Sequence, residues 1–158
     1  MRAIEGRTRL EIPQPAECGR LEDLEALDVA ECWELVRSHA VGRFAVNRPR
    51  SSPLVVPVNY SVEDGPSIAF RSGAGEKLNA ATEGIVGIQV DEIDSFHHVG
   101  WSVLIEGSAR WLYEEQVDMD VETWAPGVRP YIVRISPTRV TGRRIRLTQA
   151  DTDSRGYR

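Results

Sequence analysis

A hairpin pattern in the middle of the chain decides the fold. Its first half reads Leu54-Val-Val-Pro-Val-Asn-Tyr-Ser-Val62, and its second half, residues 67–72, reads Ser-Ile-Ala-Phe-Arg-Ser. Asp64-Gly65 between them is a tight-turn signal. Alternate positions of the first half carry large side chains, as expected for a strand that buries one face. The stretch predicts two antiparallel strands, with an inward face made of Leu54, Val56, Val58, Tyr60 and Val62.

Similar alternation on both sides of the hairpin predicts further strands. Valine and isoleucine together number 27 against 10 leucines, a balance that favours strands. Six or seven strands with short turns, accompanied by two or three helices, indicate a mainly β protein built as a small, mostly antiparallel barrel. The alternating positions are Phe44 and Val46; Val86, Ile88 and Val90; Trp101, Val103 and Ile105, with an interruption at Gly107 before 109–112; and Tyr131, Val133 and Ile135.

Three stretches are predicted to be helical. Asp28 and Glu31 have the spacing of a capping box, with Asp28 at the N-cap of the first helix. Glycine or proline follows each stretch and supplies the stop signal. The stretches and the residues that end them are 29–40 with Gly42, 76–83 with Gly84, and 114–124 with Pro126-Gly127.

The two ends of the chain differ from its middle. Residues 1–27 are polar, contain Pro13 and Pro15, and are predicted to form a flexible N-terminal arm. Residues 28–147 are predicted to be the folded domain, and residues 148–158 a polar C-terminal tail. A chain of 158 residues has room for one domain of ordinary size.

Composition excludes several classes of protein. No apolar run approaches the roughly 18 residues of a membrane span, and no early segment resembles a signal peptide, so we expect a cytoplasmic protein without a membrane partner. Cys18 and Cys32 form no metal-binding or redox pair and are expected to be reduced thiols. The net charge of −5 argues against nucleic acid as a partner, although residues 129–158 hold eight arginines and two acids.

Few side chains suggest acid–base or metal chemistry. The three histidines are His39, His97 and His98. Neighbouring residues on a strand point to opposite faces, so His97 and His98 are not expected to bind one ion together, and no metal site is predicted. The sequence has neither a nucleophile elbow nor a Walker loop, and no catalytic residue is assigned.

The stretch Phe70-Arg-Ser-Gly-Ala-Gly-Glu-Lys-Leu78 is the strongest candidate binding site. It joins a strand end to a helix through two glycines and contains the only lysine of the chain, Lys77. Arg71, Ser72, Lys77 and free backbone amides could together hold a phosphate group. An ordinary glycine-rich turn with two solvated cations explains the residues equally well.

Two other stretches have competing interpretations. Trp101 and Ser102 open a strand and could offer a flat ring and a hydroxyl to a planar ligand, but Trp101 in register with Val103 is more simply a core residue. Pro57 removes a hydrogen-bond donor from a strand, which frees a neighbouring backbone group for a ligand or marks a sheet edge.

Taken in order, these motifs resemble the pyridoxamine 5′-phosphate oxidase-like flavin-nucleotide-binding proteins, and more narrowly their nitroimidazole-reductase-like branch. The resemblance covers about residues 29–147. Its motifs are Glu31-Cys-Trp-Glu-Leu-Val36, Val41-Gly-Arg-Phe-Ala-Val46, Pro57-Val-Asn-Tyr60, Phe70 to Leu78, Val90-Asp91, Gly100-Trp-Ser-Val103, Trp124-Ala-Pro-Gly127 and Val140-Thr-Gly-Arg143.

The resemblance implies an FMN-binding split β-barrel, usually a homodimer with FMN at the subunit interface, and a flavin-dependent oxidoreductase acting on a small electron-poor molecule. Deazaflavin or haem is also compatible, and so is a non-enzymatic binding or sensing module. By position, the phosphate would be held by Arg71, Ser72 and Lys77. The isoalloxazine would lie along Pro57, Val58 and Asn59, with Trp101 and Ser102 approaching from a neighbouring strand of the same chain or of the partner chain.

Two departures from the family bear on activity. In the nitroimidazole-reductase-like branch a histidine often occupies the position of Arg71, so that activity does not follow from the resemblance. True pyridoxamine phosphate oxidases carry a C-terminal Arg-Leu-His motif, which the tail beginning Arg146-Leu-Thr-Gln does not contain. Pyridoxal phosphate synthesis is therefore not expected.

Overall fold

Strands dominate the computed structural model, which describes residues 24–82, 84–117 and 121–146. Two short α-helices and one 3-10 turn interrupt them. In chain order the elements are β1 (Leu24–Leu27), α1 (Val29–Arg37), β2 (Val41–Val46), β3 (Leu54–Val62), β4 (Ile68–Ser72), α2 (Glu76–Ala81), β5 (Ile85–Asp94), β6 (Val99–Tyr113), the 3-10 turn (Glu114–Gln116) and β7 (Tyr131–Ile145).

The sheet closes into a barrel. Its strand order is β1-β7-β4-β3-β2-β5-β6, and β6 pairs again with β7, so six antiparallel strands form a ring and β1 is added on β7. The predicted hairpin is strands β3 and β4, which pair Tyr60 with Phe70 and Val62 with Ile68. The predicted antiparallel barrel of six or seven strands with two or three helices is therefore confirmed.

Alternation along the strands fills the barrel interior as predicted. Phe44 and Phe70 meet near the centre, with ring centroids 4.8 Å apart, and both are fully buried. The predicted inward face of β3 is also confirmed, since Val58 and Tyr60 are buried in the core and the other three residues are partly buried against that core. The other large and fully buried side chains of this core are Ile68, Ile88, Ile105, Ile135, Val90, Val103 and Val133, together with Val36 of α1. Ile132 and Val121 are also fully buried but belong to a separate cluster.

Two glycines allow close approach of backbone in this barrel. A Cβ on Gly107 would lie 2.1 Å from the carbonyl oxygen of Ser136, and the pairing of β6 with β7 shifts register between Glu106 and Gly107. The predicted interruption is thus a bulge through which β6 continues. A Cβ on Gly142 would lie 2.5 Å from Sγ of Cys32, so α1 packs directly on β7 at this glycine.

Helix α1 begins as predicted but ends earlier. The carboxylate of Asp28 accepts a hydrogen bond from the amide of Glu31 at 2.8 Å, which caps the first turn. The Glu31 side chain does not complete the box, because it accepts from Arg144 at 2.6 Å instead. The helix stops at Arg37 rather than near residue 40, and the amide of Ser38 bonds back to the last turn.

The structure differs from two further predictions, one about a helix and one about the N-terminal arm. The predicted helix over 114–124 is not seen in the described residues of that stretch: Glu114–Gln116 make a single 3-10 turn, Val117 is extended, and residues 121–124 are not helical. The reason is tertiary: a helix over this stretch would pair the amide of Trp124 with the carbonyl group four residues earlier, whereas this amide donates to Asn59 on β3. The carbonyl oxygen of Val121 likewise accepts from Arg71 on β4, and Val121 packs on Ala69 and Ile132 outside the barrel. Leu24–Leu27, part of the predicted arm, form a strand that pairs with β7.

No helix in the described residues is long and apolar enough to cross a membrane. The remainder of the predicted arm, residues 1–23, and the predicted tail from residue 148 onward lie outside the described residues.

Candidate functional site

A groove runs over the outer face of strands β2, β3 and β5. In the sheet, Pro57 pairs with Arg43, Asn59 pairs with Val41, and Asp91 pairs with Ser102 on β6. These residues alternate with the buried ones, so their side chains face outward. The groove has a volume of about 450 Å³, and its walls include His39, Val41, Arg43, Pro57, Asp91 and Trp124.

Asn59 carries an unsatisfied donor beside this groove. Its Oδ1 accepts a hydrogen bond from the backbone amide of Trp124 at 3.0 Å, which fixes the side chain against the segment that follows β6. Its Nδ2 is buried and has no hydrogen-bond partner. Buried polar atoms are nearly always paired, so an unpaired amide next to a groove points to an acceptor supplied by a ligand.

Pro57 and Val58 lie next to Asn59, but the side chain of Pro57 is exposed whereas that of Val58 is buried. The pairing of β3 with β4 starts only at Tyr60, so at Pro57 the strand has a partner on the β2 side alone. A proline is tolerated there because the strand is locally an edge. The side chain of Val58 is buried in the core, so only its backbone is available to a ligand.

Arg71 faces outward from the end of β4 and is already engaged within the chain. Its Nε donates to the carbonyl oxygen of Val121 at 2.5 Å, and its Nη2 lies 2.7 Å from Oε1 of Glu114. The hydrogen bond and the charge of Arg71 hold the pKa of Glu114 below its ordinary value. Arg71 therefore holds the segment after β6 against the outside of the barrel.

Ser72 and Lys77 stand on either side of the glycine-rich turn. Ser72 is fully buried, and its hydroxyl donates to the carbonyl oxygen of Gly73 at 2.9 Å. Gly75 has a φ of 142°, a conformation that glycine adopts without strain. The ammonium of Lys77 lies 5.3 Å from the centre of the Phe70 ring, and burial lowers the pKa of this lysine, with a further contribution from the charge of Arg129.

Arg129 is a candidate site residue that the sequence analysis missed. Its Nε is buried without a hydrogen-bond partner, and its charge acts on Lys77. Arg129 comes just before β7, and the pairing of Tyr131 in β7 with Ser72 in β4 brings it close to the glycine-rich turn. Nothing in the local sequence signals this pairing, so no motif could have identified Arg129.

The structure separates Trp101 from Ser102. Trp101 points into the barrel with Val103 and is 9% exposed, as the core interpretation predicted, whereas Ser102 faces outward opposite Asp91. Trp101 does not line the groove. His39, which does, packs edge-to-face against Trp101 with ring centroids 4.8 Å apart.

The histidines form no metal centre in the described part of the chain, where no group of three or more metal-ligating side chains converges. His97 bonds to Asp94 at 2.6 Å in the turn between β5 and β6, and hydrogen bonds from His97 lower the pKa of Asp94. His39 lies apart from both, with its Nε2 3.4 Å from the carboxylate of Glu92.

Comparison with known proteins finds one matching family model and several similar proteins. A family model described as pyridoxamine 5′-phosphate oxidase matches residues 28–144. An uncharacterized protein of Mycobacterium tuberculosis is 31% identical over 129 residues, which are 75% of this chain and 84% of that protein. The structure of the FAD binding protein from Mycobacterium smegmatis is 31% identical, with a TM-score of 0.60 over 78% of this chain and 99% of that one.

A more distant structure shares the fold alone. It is described as a 5-nitroimidazole antibiotic resistance protein from Bacteroides thetaiotaomicron and is 14% identical, with a TM-score of 0.59 over 77% of this chain and 88% of its own.

Proposed function

The chain belongs to the pyridoxamine 5′-phosphate oxidase family, and on that premise we propose that it is a flavoprotein that binds FMN along the groove and the turn after β4. The observation that carries the proposal is the unpaired, buried Nδ2 of Asn59 beside the groove. The FAD binding protein of Mycobacterium smegmatis, 31% identical, supports a flavin as the ligand class.

The side chains present fit a flavin nucleotide. Pro57 and the backbone of Val58 supply a flat apolar wall, and the free amide hydrogens of Asn59 match the carbonyl oxygens of an isoalloxazine ring. The phosphate would be held by Lys77, with Arg71 at the side; the predicted contact to the Ser72 hydroxyl does not fit, because this hydroxyl is buried and already donates to Gly73. Hydrogen bonds to a charged group are among the stronger ones in proteins, so these residues would contribute much of the affinity.

The reaction class we propose is flavin-dependent oxidation or reduction of a small electron-poor molecule. A bound flavin supplies hydride or electron transfer, and the protein supplies binding and orientation. Trp124, 66% exposed at the groove, provides an aromatic surface against which such a molecule could stack. Pyridoxamine phosphate is not the proposed substrate, since no Arg-Leu-His sequence occurs within residues 1–158.

We further propose a homodimer. Val55, Ile85 and Leu104, on three strands of the same barrel face, are 58%, 57% and 39% exposed. Ala45 and Gly87 lie between them in the sheet and leave the patch flat, with Glu106 opposite Gly87 as a charged neighbour. Such a patch on the outside of a barrel favours a protein partner, and a second copy would cover it symmetrically.

In such a dimer, the outward-facing Ser102 would approach the flavin of the partner chain, whereas Trp101, whose side chain points into the barrel, would do so only through its indole edge. Trp101 borders a surface groove of about 360 Å³ with Glu92 and Arg144, at the edge of the barrel opposite β3. This location gives the indole edge access to a ligand from outside although most of its surface is buried.

The visible absorption spectrum of the purified protein tests the proposal, followed by titration of the ligand-free protein with FMN. Flavin bands, or FMN binding at micromolar concentration or below, are the expected result. A Soret band would indicate the alternative haem-binding module, and a protein that binds neither ligand would contradict the proposal.

A further inference from the structure

Arg129 lies beside the glycine-rich turn because of strand pairing. Ser72 at the end of β4 pairs with Tyr131 at the start of β7. Beyond this pair, the carbonyl oxygen of Val128 lies 3.7 Å from the position that a Cβ on Gly73 would occupy. The backbone that carries Arg129 therefore packs against the turn that leads to Lys77.

Arg129 and Lys77 are two cations with no carboxylate paired to them among the described side chains. In the part of the chain that the structure describes, neither forms an ion pair, whereas Arg71 nearby has Glu114. The Nε of Arg129 is buried without any partner. Two like charges that are partly withdrawn from water repel each other, and this arrangement is stabilised when an anion lies between them.

We propose that Arg129 is a further phosphate-binding residue, which together with Lys77 forms a two-cation site for the phosphate monoester group of a flavin nucleotide. The inference rests on the proposed function. A phosphate monoester carries a charge of about −1.5 to −2 near neutral pH, which two cations balance. A guanidinium also offers parallel N–H groups that suit phosphate oxygens, and the unpaired Nε of Arg129 is one of them.

Binding of FMN and of riboflavin, which lacks the phosphate, separates this role from a structural one. We would titrate the wild-type protein and the variants Arg129→Gln, Arg129→Lys and Arg50→Gln by flavin fluorescence. Arg50 is an exposed arginine in the turn between β2 and β3, so its substitution removes the same charge away from the site. We expect Arg129→Gln to weaken FMN binding about 10- to 150-fold and to leave riboflavin binding within about twofold.

Two control variants test whether the charge of Arg129 and its position are responsible for the loss of affinity. Arg129→Lys keeps a positive charge and should lose less FMN affinity than Arg129→Gln, whereas Arg50→Gln should match the wild type. Without flavin, Arg129→Gln should unfold at the same or a higher temperature than the wild type, because repulsion of Lys77 is removed.

Three results would overturn the inference. If Arg129→Gln binds FMN like the wild type, or unfolds at a much lower temperature without flavin, Arg129 is not a phosphate ligand. If the wild type binds FMN and riboflavin equally, no phosphate site exists here, although flavin binding stands. If the wild type binds neither flavin, the proposed function fails and this inference fails with it.

Discussion

Arg71 and Glu114 form an ion pair in which Nη2 lies 2.7 Å from Oε1, and the arginine side chain is only 14% exposed. The pair joins the end of β4 to the turn that follows β6, on the outside of the barrel. Together with the hydrogen bond from Arg71 to Val121, it holds the segment whose valines cover Ala69 and Ile132. One arginine thus shapes the wall of the proposed flavin site and stabilises the fold beneath it.

Arg71 and Lys77 should therefore respond differently to substitution by alanine. Arg71→Ala leaves the carbonyl oxygen of Val121 without its donor, and we expect it to lower the free energy of unfolding by about 1–3 kcal/mol. Lys77→Ala should change it little and should weaken FMN binding about 10- to 150-fold. Urea denaturation and flavin titration of both variants measure the two effects. Equal loss of stability in the two variants would contradict the anchoring role of Arg71.

The affinity for FMN should depend on pH through Lys77. Burial lowers the pKa of this lysine, so in the free protein it loses its proton below the ordinary value of about 10.4. A bound phosphate favours the protonated form of Lys77. Above the lowered pKa of this lysine, FMN binding should therefore require uptake of a proton, and the affinity for FMN should fall as the pH rises. At the acid end it should weaken below about pH 6, where the phosphate gains a proton.

Riboflavin and the variant Lys77→Arg are the controls for this pH profile. Riboflavin has no phosphate group, so its binding should show neither the acid limb nor the alkaline limb of the pH profile. Lys77→Arg should keep the acid limb and lose the alkaline one, because arginine does not titrate in this range. An alkaline limb of unchanged midpoint in Lys77→Arg would assign the titration to another group.

Substitution of Asn59 should weaken binding of the isoalloxazine ring rather than binding of the phosphate. Asn59→Asp keeps an oxygen acceptor for the amide of Trp124 and removes the buried donor Nδ2. We expect FMN and riboflavin to lose affinity by the same factor, about tenfold or more, since the lost hydrogen bond is common to both. Isothermal titration with the two ligands measures this. A loss confined to FMN would place Asn59 near the phosphate instead.

The apolar face of the barrel should determine the oligomeric state. Ile85→Glu introduces a charge in the middle of the proposed interface and should convert the dimer to a monomer at micromolar concentration. Val29→Glu is the matched control, because Val29 is 56% exposed on the first turn of α1 and lies on a different surface. Size-exclusion chromatography with light scattering distinguishes the states. A monomeric wild-type protein, or a dimeric Ile85→Glu variant, would refute this interface.

Gly142 should be intolerant of any side chain because α1 lies directly above it. The methyl group of Gly142→Ala would meet Sγ of Cys32 at 2.5 Å and Cδ1 of Leu27 at 3.0 Å, and overpacking of this kind typically costs about 1–3 kcal/mol. Removing the sulfur in the double variant Cys32→Ala/Gly142→Ala should restore part of the stability. Thermal unfolding of the single and double variants measures the coupling, and purely additive effects would show that the contact is not the cause.

Local sequence was sufficient for those parts of the fold that depend on near neighbours. Alternation of large side chains identified the strands because the two faces of a strand differ at every second residue, and Asp28 identified the start of α1 because its carboxylate caps an amide three residues away. The site motif of Ser72 and Lys77 was visible for the same reason, since both residues belong to one short turn.

Only the tertiary structure decided what depends on residues far apart in the chain. The segment after Tyr113 has a helical composition, yet its backbone is held by side chains of distant strands: Arg71 donates to the carbonyl oxygen of Val121, and Asn59 accepts from the amide of Trp124. The convergence of Arg129 on Lys77 follows from the pairing of β4 with β7, which joins residues about 60 positions apart. The sequence by itself determined strands β2 to β7, the start of the first helix and the glycine-rich turn. Barrel closure, through contacts that no local pattern encodes, brought Arg129 beside that turn and left the amide of Asn59 unpaired beside the groove.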